Sequence, residues 1–210
     1  MPAGPRTLAA IGLVALAAIV GAVVLSGGST DEAAPPAPVA GEALPEPDLI
    51  VPAVAPPELP DRGLHPELLE IDGWLQSDVT SLEELRGDVV AVQFWTFGCR
   101  NCKNTLDAMS DMYAKYADQG FEIVGIHSPE FSYEAEVDNI VEAAGELGVT
   151  WPIVLDTTKR TFHFWQEGRR GHWPRIYLLD RDGHIRYDHI GEGRYAEIDA
   201  AVQALLAEPA

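Results

Sequence analysis

Residues 89–116 read VVAVQFWTFGCRNCKNTLDAMSDMYAKY, and this stretch decides the fold. Val89 to Trp95 is a run of β-formers, apolar almost throughout. That is the pattern of a strand covered on both faces, as in a parallel sheet. Thr96, Phe97 and Gly98 turn the chain, and Cys99 and Cys102 then stand at the head of a helical pattern. The pattern predicts a helix to about Asp118, with Leu106, Met109, Met112 and Tyr113 on one face and Gly120 as its stop. A Cys-x-x-Cys between a buried strand and a helix start is a redox arrangement. Its spacing lets both sulfurs meet on one helical turn. The first sulfur faces the unpaired N–H groups and the positive end of the helix dipole, which favour thiolate over thiol. Thiolate is the species that attacks a disulfide.

Outward from this stretch, strands alternate with helices. Leu68 to Gln76 reads as a short strand with a turn at Asp72-Gly73, and Thr80 to Gly87 as one capped turn with Glu83 or Glu84 reaching back. After the helix come a strand from Phe121 to Ile126, an exit loop from His127 to Glu130, and a helix from Tyr133 to Leu147 with Val137, Ile140, Val141 and Ala144 inward. Trp151 to Leu155 is a strand and Thr158 to Trp165 a short helix. Arg175–Leu179 and His184–Ile190 form a hairpin through Arg181-Asp182-Gly183, and Tyr195 to Leu206 closes the domain as a helix. The expected class is α/β with a mixed central sheet flanked by helices.

The chain has 210 residues and a formal net charge of −19. That charge argues against a nucleic-acid partner and against electrostatic docking on anionic lipid. The 2 cysteines both lie in the one motif, so there is no structural disulfide framework, and the pair serves chemistry or metal.

Three segments are expected: 1–28 a membrane anchor, 29–62 a linker, 63–210 the folded domain. Leu8 to Leu25 is continuously apolar, with Arg6 before it and Asp31 and Glu32 after it. It is long enough to span a bilayer, and the positive-inside rule leaves everything after Leu25 outside the cytoplasm. The expectation is a single-pass protein of the cell membrane with an extracytoplasmic domain, secreted instead if the small residues Ser26 to Gly28 are a cleavage site. Ser29 to Arg62, rich in Pro, Ala and acids, is expected to be a disordered tether with a reach of about 100 Å.

From about Leu68 to Leu206 the sequence resembles thioredoxin-like proteins of the extracytoplasmic TlpA/DsbE class, and within it most the thioredoxin-like domain of DipZ proteins. The resemblance is carried by GWL at 73–75, SLEELRG at 81–87, FWTFGCRNC at 94–102, IVGIHSPEF at 123–131, WPIVLD at 151–156, WPRIYLLDRDGHIR at 173–186 and GEGRY at 191–195. It implies a thioredoxin-like fold and a Cys99–Cys102 redox disulfide with no further cofactor. Cys99 is then the nucleophile and Cys102 the resolving thiol. It implies that Pro174 is the cis-proline facing the cysteines, turning the backbone of Trp173 toward a bound peptide. The implied partners are protein thiol or disulfide clients, apocytochrome c among them, and a CcdA/DsbD-type membrane electron donor.

The sequence departs from the family at two places. Thioredoxins carry a buried carboxylate six residues before the first cysteine, and Gln93 stands there; TlpA-like proteins often carry a glutamate three residues after the second, and Thr105 stands there. Glu130 is the remaining acid expected near the site, and is assigned the proton transfer to Cys102. Arg100 and Asn101 are assigned the tuning of the redox couple. Trp95, Phe97 and Trp173 are expected to form an apolar, client-binding rim, with core packing the other possibility for Trp95. Arg169 and Arg170 are candidates for positive charge beside the groove. Two other chemistries fit fragments of the pattern. Thr96-x-x-Cys99 is half of a peroxiredoxin signature, although Val92 stands where a proline is expected. Two thiolates with His127 or His172 make a legitimate zinc or copper site.

Overall fold

The computed structural model describes residues 57–167 and 171–209. The expected anchor, the linker as far as Pro56, and Arg169 and Arg170 lie outside the described residues. Among the described residues no helix is long and apolar enough to cross a membrane.

The elements follow in the order β1 (Gly73–Leu75), β2 (Val89–Trp95), α1 (Arg100–Tyr116), β3 (Phe121–His127), α2 (Val137–Glu146), β4 (Ile153–Leu155), α3 (Arg160–Trp165), β5 (Arg175–Leu179), β6 (Ile185–Ile190) and α4 (Tyr195–Ala207). The strands form one six-stranded sheet in the order β1-β4-β3-β2-β5-β6. β2 and β4 run parallel to β3, while β1, β5 and β6 pair antiparallel with their neighbours. The sheet is therefore mixed, with β2 near its centre.

That position explains why every residue of β2 is buried. Alternation along the strand sends Val89, Ala91 and Trp95 to one face, among Leu106, Met109 and Met112 of α1 and Ile198, Val202 and Leu205 of α4. Val90, Val92 and Phe94 go to the other, among Phe162 and Trp165 of α3 and Leu82 and Leu85. Two covered faces leave no solvent-facing positions on the strand, and its one polar residue, Gln93, is buried too. α1 runs on into a 3-10 turn, Ala117–Gln119, which stops where Gly120 takes a left-handed conformation at φ 84°, and this costs glycine no Cβ clash.

Residues preceding the domain proper are held to it. The Arg62 N–H donates to the Ile185 carbonyl at 3.0 Å, and the Arg186 guanidinium donates to the Leu59 carbonyl. The turn before β2 is capped as expected, by Glu84: its carboxylate accepts from the Thr80 N–H and from the Thr80 and Ser81 hydroxyls.

The second helix departs from the sequence expectation. In place of one helix from Tyr133 there is a 3-10 turn at Ser132–Ala135, an extended Glu136, and then α2. Ile140 and Ala144 are buried, but Val137 and Val141 are 39% and 51% exposed. The physical reason is Glu134. Its buried side chain reaches back to the N–H groups of Glu130 and Phe131, so the chain turns locally there and the helix restarts in a new phase.

Candidate active site

β2 delivers the site from the middle of the sheet, and the chain leaves it through Thr96, Phe97 and Gly98 to reach α1. Cys99 is the N-cap of α1: its sulfur accepts from the Cys102 N–H at 3.4 Å. Both cysteines are free thiols, Cys99 partly exposed and Cys102 buried. The Cys99 thiol is pulled down to about 6 from 9.0, chiefly by the hydrogen bond from the Cys102 thiol, against its own burial, and with help from the N–H groups of Cys102 and Asn101. The same hydrogen bond and burial push Cys102 far up. One motif thus holds one thiolate at neutral pH and one protonated thiol in reserve.

The Trp173–Pro174 peptide bond is cis, and the Trp173 carbonyl oxygen lies 4.0 Å from the Cys99 sulfur. The segment is fixed from behind. The Trp173 indole N–H donates to the Ser128 carbonyl at 2.9 Å, and its ring stacks on Phe162 at 4.2 Å. Phe162 is placed in turn by buried Asp156, which accepts from the N–H groups of Thr161 and Phe162 and from the Ser128 hydroxyl. Burial raises the pKa of this carboxyl, and those hydrogen bonds oppose the rise.

Gln93 and Thr105, the two departures from the family pattern, form one unit. Gln93 Nε2 donates to Thr105 Oγ1 at 2.9 Å, and that hydroxyl donates to the Cys102 carbonyl at 2.6 Å. Both side chains are fully buried, and Gln93 Oε1 has no hydrogen-bond partner among the described residues. A neutral chain of hydrogen bonds therefore stands under Cys102 in place of a carboxylate.

Of the expected rim, Phe97 and Trp173 are partly exposed. Trp95 is not part of it. It ends β2 paired with His127, fully buried among α1 core residues, so it is a core residue. Arg100 and Asn101 are exposed on the first turn of α1; Asn101 acts on Cys99 through its backbone N–H. Glu130 is exposed, and its charge raises both cysteine pKa values.

His127 lies within the fold behind the site. It is fully buried, stacked on Phe97 at 5.5 Å and edge-on to Trp95 at 5.3 Å, with Nε2 3.3 Å from the Thr96 hydroxyl. Burial holds its pKa down at about 4. His172 is exposed. Among the described residues no three His, Cys, Asp or Glu side chains are grouped so as to hold a metal, so neither histidine completes a ligand set with the cysteines.

Sequence reasoning missed Glu134. It is fully buried; Oε2 accepts from Glu130 N–H at 2.6 Å and Phe131 N–H at 2.9 Å, while Oε1 has no hydrogen-bond partner among the described residues. That free oxygen lies against Gly98, where a Cβ would collide with it. The usable signal was its place three residues after Phe131, the back-reaching position of a capping box.

Residues 69–188 match the AhpC/TSA family. DipZ of Mycobacterium tuberculosis is 35% identical over 152 residues, covering 71% of this chain but only 21% of DipZ. The thiol-disulfide oxidoreductase YkuV of Bacillus subtilis is 26% identical over 143 residues, covering 68% of this chain and 94% of YkuV. A thiol:disulfide interchange protein of the thioredoxin family from Chlorobium tepidum superposes with a TM-score of 0.56 at 22% identity, over 74% of this chain and 100% of that one. The chain belongs to the AhpC/TSA family, with a thioredoxin-like fold and relatives that are thiol–disulfide oxidoreductases of the TlpA/DsbE type.

Proposed function

We propose that the chain is a membrane-tethered, extracytoplasmic thiol–disulfide oxidoreductase that works through Cys99 and Cys102. One observation carries the chemistry: Cys99 caps α1 with its thiol pulled down to about 6, directly above a buried, protonated Cys102. The Cys99 thiolate attacks a client disulfide, forming a Cys99–client mixed disulfide and releasing one client thiolate. Cys102 then loses its proton and attacks the Cys99 sulfur. The second client thiolate leaves, the Cys99–Cys102 disulfide forms, and two electrons have passed to the client. The Trp173 carbonyl beside Cys99 offers an acceptor for strand-like pairing with the client backbone.

Glu130 is our choice for the proton from Cys102, because it is the acid whose charge acts on both cysteines. Glu130→Gln should slow resolution of the mixed disulfide and shift its pH profile; an unchanged profile removes Glu130 from the mechanism. By family resemblance, electrons come from a CcdA/DsbD-type membrane dithiol, and apocytochrome c is a client class.

The peroxidase alternative is not favoured by the position of Thr96, whose hydroxyl lies beside His127 Nε2 and whose carbonyl accepts from the Cys99 N–H. Equilibration with glutathione tests the redox proposal. A reversible Cys99–Cys102 disulfide with a potential between about −270 and −120 mV, the range of this fold, is expected. Failure to form a reversible disulfide overturns it.

A further inference from the structure

A row of aromatic rings leads away from the reactive cysteine. His127 stacks on Phe97 at 5.5 Å, Phe97 meets Tyr133 at 5.9 Å, and Tyr133 stacks on Phe131 at 5.9 Å with the rings 5° from parallel. The row begins fully buried at His127 and ends in solvent: Tyr133 is 51% and Phe131 53% exposed. Two large aromatic side chains left stacked in water beside an active site require an explanation. Phe97 is two residues from Cys99, so a chain lying across the exposed rings has its neighbouring residues within reach of the sulfur.

The charge around these rings has one sign. Glu130, Glu136, Asp138 and Glu142 are all exposed on the segment that carries them, and no lysine or arginine stands between Lys115 and Lys159. Among the described residues the cations near the site are on other elements: Arg100 and Lys103 on α1, and Lys159 5.9 Å over the Trp173 ring. Aromatic faces attract cations, and carboxylates around them strengthen the attraction and steer the approach.

We propose that the segment from Glu130 to Glu142 is a client-docking surface, and that its occupant is a lysine- or arginine-bearing stretch of polypeptide flanking the client's reactive disulfide. The proposal rests on the redox reading above and specifies which clients that site takes. The basic side chains lie over the Phe131–Tyr133 pair between the carboxylates, and the adjoining backbone passes the Trp173 carbonyl to present the disulfide to Cys99.

The test uses the full-length protein and two peptide disulfides identical except for lysines or glutamates flanking the cysteines. Bis(2-hydroxyethyl) disulfide serves as a small, uncharged disulfide with no flanking chain. At low salt the pre-reduced wild type, oxidised once to its Cys99–Cys102 disulfide, should reduce the basic peptide with a single-turnover second-order rate constant about tenfold above that for the acidic one, a ratio that falls as salt screens the carboxylates. Phe131→Ala and Glu136→Lys should each lower the ratio about threefold and leave the small-disulfide rate unchanged. Equal use of the two peptides, preference for the acidic one, or variants that keep the wild-type ratio would overturn the docking proposal while the small-disulfide rate upholds the redox function. A wild type inert toward the small disulfide as well would overturn the redox function, and the docking surface with it.

Discussion

The mouth of the site and its floor are three residues apart and behave oppositely. At the mouth Cys99 is partly exposed, caps a helix and ionises at about 6. On the floor Cys102, Gln93, Thr105 and His127 are fully buried, and every one of them is neutral at pH 7, Cys102 because its thiol is pushed far up and His127 because burial holds it near 4. The helix N-terminus accounts for part of the difference and the hydrogen bond from Cys102 to Cys99 for most of it. A dry neutral floor makes that bond strong and leaves charge only where the client arrives. The motif is asymmetric because Cys102 is buried and donates while Cys99 is partly exposed and accepts.

The largest break in this contrast is loss of the nucleophile. Cys99→Ser should abolish disulfide reduction yet leave the melting temperature unreduced, since serine is a preferred N-cap; an enzymatic rate and a thermal melt check both halves. Cys102→Ala should act next most strongly. It removes the resolving thiol, so Cys99–client adducts accumulate and show by non-reducing electrophoresis. It also removes the main cause lowering the Cys99 pKa, so the thiolate titration should move up from about 6.

Acid sharpens the comparison through His127. Its pKa is about 4 folded against 6.5 for the free side chain. Above pH 6.5 both states hold it neutral and the full stability is present. As pH falls from 6.5 toward 4 only the unfolded chain takes the proton, and the loss should reach about 3 kcal/mol. Urea unfolding across that window measures it, and His127→Phe should remove this part of the slope. The smallest effect is expected at Gly98, the hinge between floor and mouth. Gly98→Ala drives a methyl into Glu134 Oε1 and should cost about 1–3 kcal/mol, read from the denaturation midpoint.

The parts of the molecule legible in sequence are those where one physical signal dominates. β2 announced itself by a nearly continuous apolar run and α1 by helical spacing and a stop at Gly120, while Pro174, just before β5, was marked by the family resemblance. The unreadable parts depend on where backbone groups end up. Glu134 looks like any acid in a polar loop until the turn aims the N–H groups of Glu130 and Phe131 at it. Once it is drawn in, Val137 and Val141 rotate out, although their spacing is that of a buried helix face. Trp95 was ambiguous for a related reason: an aromatic at the end of a strand serves core or rim according to its face, and the pairing with His127 sets that face. Gln93 and Thr105 stood out singly as departures from the family; that they bond to each other depends on how α1 lies over β2.

The division between mouth and floor is tested most directly by alkylating the reduced protein with iodoacetamide from pH 4 to pH 10 and mapping the label by mass spectrometry. Half-maximal reactivity near pH 6, with the label on Cys99 and none on Cys102, is the predicted result. A midpoint near 9, or equal labelling of both cysteines, would contradict it.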